Sequence, residues 1–566
     1  MLFSGKMLFP DIFPEWITRG RERAQGGKQR NMILPLTPLR LLDRAQRVYG
    51  NKVGVVCAER GFTYSEFFER CMRLAGALRS QGLRPGERVA FLSYNCHRLL
   101  EAYYGVLQAG GVLLPLNIRL APPEIALILQ DSGARFLFLD RDFIPLAEGI
   151  KQQLTEIERF FLLEADGLFP DQAPDWIETR DYDQLLAEAS PAPYDFMGVD
   201  ENSLAELFYT SGTSGDPKGV MLSHRTLYLH ALNVLATLRT PDTGVELHTI
   251  PLFHANGWGH AHTVTAAGAT HVMISRFDPK QVCELVQKEK VTTFSMVPTM
   301  AAALVHYPEL ARYDLSSLEW LMVGGSASSE ELIQSVEQKL GCKCYAGYGL
   351  TETSPVLTIA YVKDTLLGAS PQERLRRQSM TGHSAVGVEL RVVDEEGREV
   401  PRDGQTVGEI VARSDGVMEG YWRRPEQTRA TFRDGWLLTG DMAVWDEEGY
   451  LLIVDRKKEI IITGGENISS LEVEKVLLAH PGVYECAVIA VPDEKWGEVP
   501  KALVVLKKNG SATEQELTAF LRGRLAVYKI PRSFEFLPEL PKSGTGKILK
   551  KVLREKYWIG QAKRVH

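Results

Sequence analysis

Cysteine is scarce in this chain. Seven occur among 566 residues, at positions 57, 71, 96, 283, 342, 344 and 486, an odd number too sparse for a disulfide framework. Such usage suits a reducing compartment, and a cytoplasmic location is the expectation. No CxxC pair and no HExxH string occurs, and Cys342-Lys-Cys344 has the wrong separation for a zinc knuckle, so no structural metal is expected. An excess of positive charge is also missing: 65 basic against 72 acidic side chains leave a formal charge of -7, without the field a nucleic-acid binder presents. No apolar run approaches the roughly 18 uninterrupted residues of a membrane span. Hydrophobic content of 44% and charged content of 24% match soluble globular proteins and exclude a fibrous or disordered chain. The length is about three times that of a usual domain, so two or three units are expected.

The first 32 residues stand apart as an extension. Met1 to Ile17 is apolar and aromatic, whereas Arg19, Arg21, Arg23, Lys28 and Arg30 follow with a single acid, Glu22. Apolar residues followed by basic ones suit a segment lying on a membrane surface, hence peripheral association, but Asp11, Glu15, Gly5, Pro10 and Pro14 weaken it. The competing expectation is an appended tail, or a start at Met32. A signal peptide is not expected, because the charge follows the apolar stretch.

From residue 33 the pattern becomes regular. Thr63-Tyr-Ser-Glu66 is a capping box, and Tyr64, Phe67, Phe68, Cys71, Leu74, Ala75 and Leu78 recur behind it at helical spacing until Gly82. β-rich runs at 53–57, 88–92, 111–116 and 135–139 alternate with helix-like stretches at 96–109 and 123–131, as in a largely parallel sheet covered by helices. The pattern recurs at 283–300 and 318–350. After about 385 it gives way to short strands with Asp-Glu-Glu-Gly turns at 394–397 and 446–449, a β-rich subdomain. A last α/β stretch after Asp455 is short enough for a small separate domain. The fold expected is α/β: doubly wound α/β subdomains and a β-rich subdomain in a large N-terminal domain, with a small mobile C-terminal domain.

The sharpest chemical signal is Tyr209-Thr-Ser-Gly-Thr-Ser-Gly-Asp-Pro-Lys-Gly219, with three glycines, five hydroxyls and one lysine in eleven residues. Glycines let backbone N–H groups turn toward a phosphate, hydroxyls donate to its oxygens and lysine adds charge. The Walker pattern requires Gly-Lys-Ser/Thr, and Lys218 lies between Pro217 and Gly219, so a P-loop ATPase is not supported. In Tyr345-Ala-Gly-Tyr-Gly-Leu-Thr-Glu-Thr353, Glu352 occupies the place where a dinucleotide fingerprint needs glycine. There Tyr348 can stack on a base, Thr351 can donate to a phosphate, and Glu352 is a hard oxygen ligand suited to Mg²⁺; a plain Gly-rich strand–helix turn is the alternative. Thr439-Gly-Asp441 offers a carboxylate to ribose hydroxyls, Asp455-Arg-Lys-Lys458 joins the large region to the small one, and Pro541-Lys-Ser-Gly-Thr-Gly-Lys547 puts a lysine on a glycine loop. His254, His260 and His262 invite a metal reading, though no cysteine or spaced carboxylate joins them.

In order and spacing these strings resemble the adenylate-forming superfamily of acyl-CoA synthetases, peptide-synthetase adenylation domains and luciferases, over residues 33 to 555. Pro251-Leu-Phe-His-Ala-Asn-Gly-Trp258, Val323-Gly-Gly-Ser-Ala327 and Gly464-Gly-Glu-Asn-Ile-Ser-Ser470 look most like fatty acyl-CoA synthetases. The resemblance implies an adenylation domain at 33–455, a hinge at 456–460 and a mobile domain at 461–566. It implies that Thr210, Ser211, Gly212, Thr213, Ser214, Gly215 and Lys218 hold ATP phosphates, with Thr210 and Glu352 near Mg²⁺. Ser326, Ala327, Tyr348, Gly349 and Thr351 then belong to the nucleotide site, Asp441 and Arg456 to the ribose and Lys458 to the hinge. Lys547 matches the lysine of adenylation, beside Thr351 and Glu352 as the other catalytic positions. Gly465 matches the approach to the pantetheine of CoA; His254 and Trp258 match the acyl gate. The partners implied are a small carboxylate, ATP and CoA, and relatives often form homodimers. Ser214 stands where many relatives carry threonine, and Ile462 where some carry lysine. The product implied is an acyl-CoA made through acyl-AMP. The alternatives are loading of a carrier-protein thiol, a non-catalytic nucleotide-binding scaffold and, more distantly, a luciferase-like oxidase. Residues 363–378 form a charged excursion with no role legible in the sequence.

Overall fold

A computed structural model of the chain describes residues 34–163, 174–178, 181–211, 217–457, 459–463, 466–493, 496–508, 510–522, 524–542 and 548–558. The extension 1–32 therefore lies outside the described residues.

The first helix read from the sequence shows why local signals suffice there. Thr63 Oγ1 accepts the Glu66 N–H at 3.2 Å, and the Glu66 carboxylate accepts the Thr63 N–H at 2.7 Å, closing the capping box. The helix Tyr64–Ser80 then buries Phe67, Cys71, Leu74, Ala75 and Leu78 on one stripe, each large side chain contributing about 2 kcal/mol. It lies against the wholly buried helix His97–Ala109 at Gly105, where a Cβ would meet the Leu74 side chain at 2.7 Å.

The alternating pattern resolves into two sheets, one to each α/β subdomain. A seven-stranded sheet runs, edge to edge, through 420–421, 217–223, 204–211, 112–115, 88–92, 134–139 and 159–162. Its middle is parallel, and the hairpin 204–223 adds an antiparallel edge. The strand Val53–Cys57 leaves this set, because its neighbour is His271 to Met273 of the second, nine-stranded sheet. That sheet is parallel through 245–248, 293–296, 320–324 and 343–349 and ends in short antiparallel strands.

Beyond 385 a five-stranded antiparallel sheet carries the two Asp-Glu-Glu-Gly turns, each closed by glycine N–H to aspartate C=O, at 3.0 Å for 394–397 and 2.8 Å for 446–449. A second five-stranded sheet, built from 461–463, 466–468, 483–493, 497–506 and 533–536, forms the smaller C-terminal unit over its own core of Ile461, Ile468, Val473, Leu477 and Val488. The charged excursion becomes the helix Pro371–Ser379. Its Arg377 is buried, 3.0 Å from Asp446 and 3.0 Å from Glu373, with the guanidinium over the Tyr450 ring. The excursion thus clasps the turn 446–449 to the second sheet.

Candidate functional site

Loops at the carboxyl ends of both parallel sheets meet the β-rich subdomain, the place where open α/β sheets leave room for a ligand. In the hairpin 204–223, Thr210 pairs with Lys218 and Ser211 with Pro217, so the ladder delivers the start and end of the Gly-rich string to one spot. Gly212, Thr213, Ser214 and Gly215 lie outside the described residues. Lys218 Nζ stands 5.1 Å from the centroid of the Tyr421 ring, and Tyr421 donates to Glu352 Oε1 at 2.8 Å. Burial, then the Glu352 carboxylate, pushes the Tyr421 phenol up, which keeps it a donor. Among the described residues nothing donates to Glu352 Oε2. That oxygen and the Thr210 hydroxyl are both hard oxygens of the kind that Mg²⁺ takes as ligands.

Thr351 and Glu352 ride the short turn Thr351–Thr353, which folds back tightly enough that Leu350 N–H reaches the Pro355 carbonyl at 3.1 Å. A Cβ on Gly349 would collide with that same carbonyl oxygen, so Gly349 serves by close backbone approach. Beside it, Tyr348 donates to Asp441 Oδ2 at 2.7 Å while Arg456 Nε approaches Asp441 Oδ1 at 2.9 Å. Asp441 and Arg456 face each other across the antiparallel strands Trp436–Trp445 and Leu451–Arg456. Asp441 N–H also donates to Thr439 Oγ1 at 3.1 Å. Burial and the Asp441 charge raise the Tyr348 phenol well above its usual value, so its hydroxyl is committed to the carboxylate and its ring face is what a base could meet. Ser326 and Ala327 follow the strand Trp320–Gly324, which is parallel to 343–349 and pairs Gly324 with Gly347; both are exposed. Asp441→Asn should raise the apparent KM for ATP about tenfold, since a charge-assisted bond contributes about 1.5–3 kcal/mol, with a smaller change in the KM for the acid. Equal changes in both would count against a ribose role.

The string at 251–258 forms an unusual loop. Ala255, Asn256, Gly257, Trp258 and Gly259 all have positive φ, at 41°, 43°, 61°, 64° and 84°, a left-handed turn that costs non-glycine residues about 1–2 kcal/mol each. The Trp258 indole lies on the backbone of Gly324 and Gly325, so closely that a Cβ on either would sit 3.2–3.4 Å from the ring. Asn95 clamps the entry to the loop: its amide donates to the His248 and Ile250 carbonyls, both at 2.9 Å, and its oxygen accepts Leu252 N–H at 2.7 Å. His254 begins the turn. The neighbouring histidines turn to separate carboxylates, His260 Nδ1 to Glu246 at 2.9 Å and His262 Nε2 to Glu206 at 2.7 Å.

Lys458, Gly465 and Lys547 lie outside the described residues, but the flanks of Lys547 are fixed. Lys542 bridges Ile548, and Leu549 N–H reaches Pro541 C=O at 2.8 Å. The following helix, Lys550–Glu555, is moored by Lys550, whose ammonium lies 2.7 Å from Glu474 and 2.6 Å from Ser470 Oγ. Ser470 N–H donates in turn to Asp455 at 2.6 Å. Sequence reasoning missed Asn95, Glu206, Tyr421 and Glu474, whose partners are far away along the chain.

The model of the AMP-binding enzyme family matches residues 42–422, and that of the AMP-binding enzyme C-terminal domain matches residues 472–547. The chain belongs to the AMP-binding enzyme family. A long-chain-fatty-acid–CoA ligase of Thermus thermophilus is 39% identical, over 91% of this chain and 94% of its own. A 4-hydroxybutyrate–CoA ligase of Metallosphaera sedula is 37% identical over 92% and 94%. Among solved structures, the anthranilate CoA ligase AuaEII in complex with anthranoyl-AMP superposes with a TM-score of 0.82 at 27% identity, over 93% of this chain and 98% of that one. This family member thus shares more than nine-tenths of its length with CoA ligases for chemically unlike acids. That likeness supports AMP-forming acyl-CoA ligation as the class of reaction and leaves the acid open.

Proposed function

We propose that this AMP-binding enzyme activates a fatty carboxylate as acyl-AMP and passes the acyl group to CoA, releasing AMP and pyrophosphate. The observation that carries the reading is the Tyr348–Asp441–Arg456 cluster standing beside the Lys218–Tyr421–Glu352 group, one suited to ribose and base and the other to phosphate. Trp258 on Gly324–Gly325 adds an aromatic barrier next to the nucleotide face, a fitting entrance for an apolar acyl tail.

A carboxylate is a poor electrophile and, with a pKa of about 4–5, is the form present at neutral pH. Its attack on the α-phosphorus of ATP forms a C–O–P bond and expels pyrophosphate, gathering negative charge at phosphorus that Lys547, Lys218 and the 210–219 backbone stabilise. Glu352 and Thr210 would hold Mg²⁺, which would supply positive charge near the phosphates. Asp441 and Arg456 fix the nucleoside, and Trp258 keeps water from the mixed anhydride. The CoA thiol then attacks the acyl carbonyl and AMP leaves. The two steps need different groups around one carbonyl, which gives a hinge at 456–460 between domains 33–455 and 461–566 its purpose, exchanging Lys547 for the Gly465 segment.

The test is pyrophosphate release with CoA and a ladder of carboxylates, from acetate to palmitate with aryl acids added. Activity should peak on aliphatic acids. A peak on aryl acids would remove the fatty assignment, acyl-AMP formed without CoA consumption would favour a carrier-protein thiol, and no pyrophosphate release with any acid would remove the ligase reading.

A further inference from the structure

The left-handed turn 255–259 combines two costly features. Three of its residues, Ala255, Asn256 and Trp258, carry side chains in a backbone region that favours glycine. Asn256 is also fully buried, and its Oδ1 accepts no hydrogen bond among the described residues, an arrangement that buried amides rarely tolerate. Strain and an orphaned acceptor in one short turn persist only where the surroundings over-determine them.

Those surroundings are specific. Asn256 Nδ2 donates to Glu206 Oε2 at 3.1 Å, the one hydrogen bond that a side chain of residues 255–259 makes among the described residues. The other oxygen of Glu206, Oε1, faces His262 Nε2 at 2.7 Å, and His262 Nδ1 lies 3.3 Å from the Tyr104 hydroxyl. Glu206, His262 and Tyr104 are all buried. Glu206 stands on the strand Leu204–Ser211, four residues before Thr210 and on the same face by strand alternation. Up to residue 252 the loop is held by Asn95 and by the Tyr103 hydroxyl on the Leu252 carbonyl at 2.6 Å. From 260 on it is helix. At its far end the Thr263 hydroxyl donates to the Gly259 carbonyl at 3.0 Å, one helical turn on; the residues before it, Trp258 among them, are left to the Asn256 tether, which runs to the phosphate-site strand.

We propose that Glu206 and Asn256 are positioning residues that hold the strained 255–259 turn, and with it Trp258, shut against Gly324–Gly325, and that the strength of this tether sets how readily the carboxylic acid enters. This rests on the reading of Trp258 as the entrance to the acyl site. Neither residue touches the reacting atoms. They act through the position of Trp258, and the strain in the turn favours release once the tether is gone. An acid that binds only the open form has its apparent affinity reduced by the fraction of molecules that are open, so loosening the tether lowers its KM.

Asn256→Gly is the incisive variant, because glycine keeps the positive φ without strain and removes only the side chain. Expected is a fall of about three- to tenfold in the KM for the acid, with the KM for ATP within about twofold of its original value. Glu206→Gln, which retains size and polarity, should move the same parameter in the same direction. A purely structural role is separated by Trp258→Ala: in that background Asn256→Gly should change the acid KM by less than about twofold, because the group through which it acts is gone. An unchanged or raised acid KM, or an equal effect in both backgrounds, would overturn the proposal.

Hydrogen exchange of the full chain reads the tether without turnover. Amides of 257–259 should exchange faster in Asn256→Gly while those of 97–109 keep their protection. Unchanged exchange at 257–259 would overturn the tether even if no acid proved to be a substrate, and faster exchange with no active acid would overturn the ligase reading alone.

Discussion

Lys547→Ala is expected to slow acyl-AMP formation by about 10²–10³-fold, while thioester formation from supplied acyl-AMP and CoA stays within a few-fold. The size follows from what one preorganised donor contributes where charge develops in a transition state. The asymmetry follows from the chemistry: negative charge accumulates on the pentavalent phosphorus only in the first step, whereas in the second the thiol gives up its proton, charge builds on the acyl carbonyl oxygen, and AMP departs with the C–O bonding pair. The flanks of Lys547 are tied together by the Lys542–Ile548 bridge and anchored by Lys550 on Glu474, so removing one side chain between them should leave the small unit folded. Separate assays of pyrophosphate exchange and of thioester synthesis from acyl-AMP check this. Equal loss in both would place Lys547 outside the adenylation step.

Acid should unfold the protein from about pH 5. His230 and His248 are buried, and burial, followed by neighbouring histidines, lowers their pKa from 6.5 to about 3; His224 falls to about 4 for the same reasons. His230 also has to stay neutral to accept the Val356 N–H on Nε2, at 3.1 Å. The sign is fixed by linkage: between the depressed folded values and 6.5 the unfolded chain binds more protons, so stability is complete above 6.5 and is lost as pH falls. Each of the three costs about 2 kcal/mol at pH 5, about 6 together, against a total stability of about 5–15 kcal/mol for a typical domain. Urea midpoints measured from pH 7.5 to 4.5 should drop steeply below 6.5. His230→Gln keeps an acceptor for Val356 and removes one of five buried histidines with lowered pKa values, His97 and His271 being the other two, so its slope should be shallower by about a fifth. A midpoint independent of pH between 5 and 7 would contradict the cause assigned here.

What the chain reveals before folding is what depends on near neighbours. Thr63 and Glu66 announce a helix start because cap and partner are three residues apart, and the alternation of apolar runs gives the layers. It does not say that Val53–Cys57 joins His271 to Met273, since either sheet could bury that strand equally well. At the site, the string Thr439-Gly-Asp441 offered a carboxylate by itself, whereas Arg456 was tied to a ribose only by resemblance; their cross-strand pairing and the Tyr348 bond are products of the fold. Tyr421 looked like any residue in a short strand, and its partner Glu352 is 69 positions away. Asn95 and Glu206 were invisible for the same reason. The excursion 363–378 had no role legible in its charges, yet Arg377 is buried between Glu373 and Asp446. Charge alternation cannot distinguish a surface helix from a clasp.

The small C-terminal sheet has a practical corollary for dissecting the molecule. Its family model begins at 472, but two of its strands, Ile461–Thr463 and Glu466–Ile468, precede that point, and Ile461 and Ile468 lie in its core. A truncated fragment cut at 472 would lose both, along with Ser470 beneath Lys550, and would present a raw edge and a hole to solvent. Expressing this unit alone calls for a boundary upstream of Ile461.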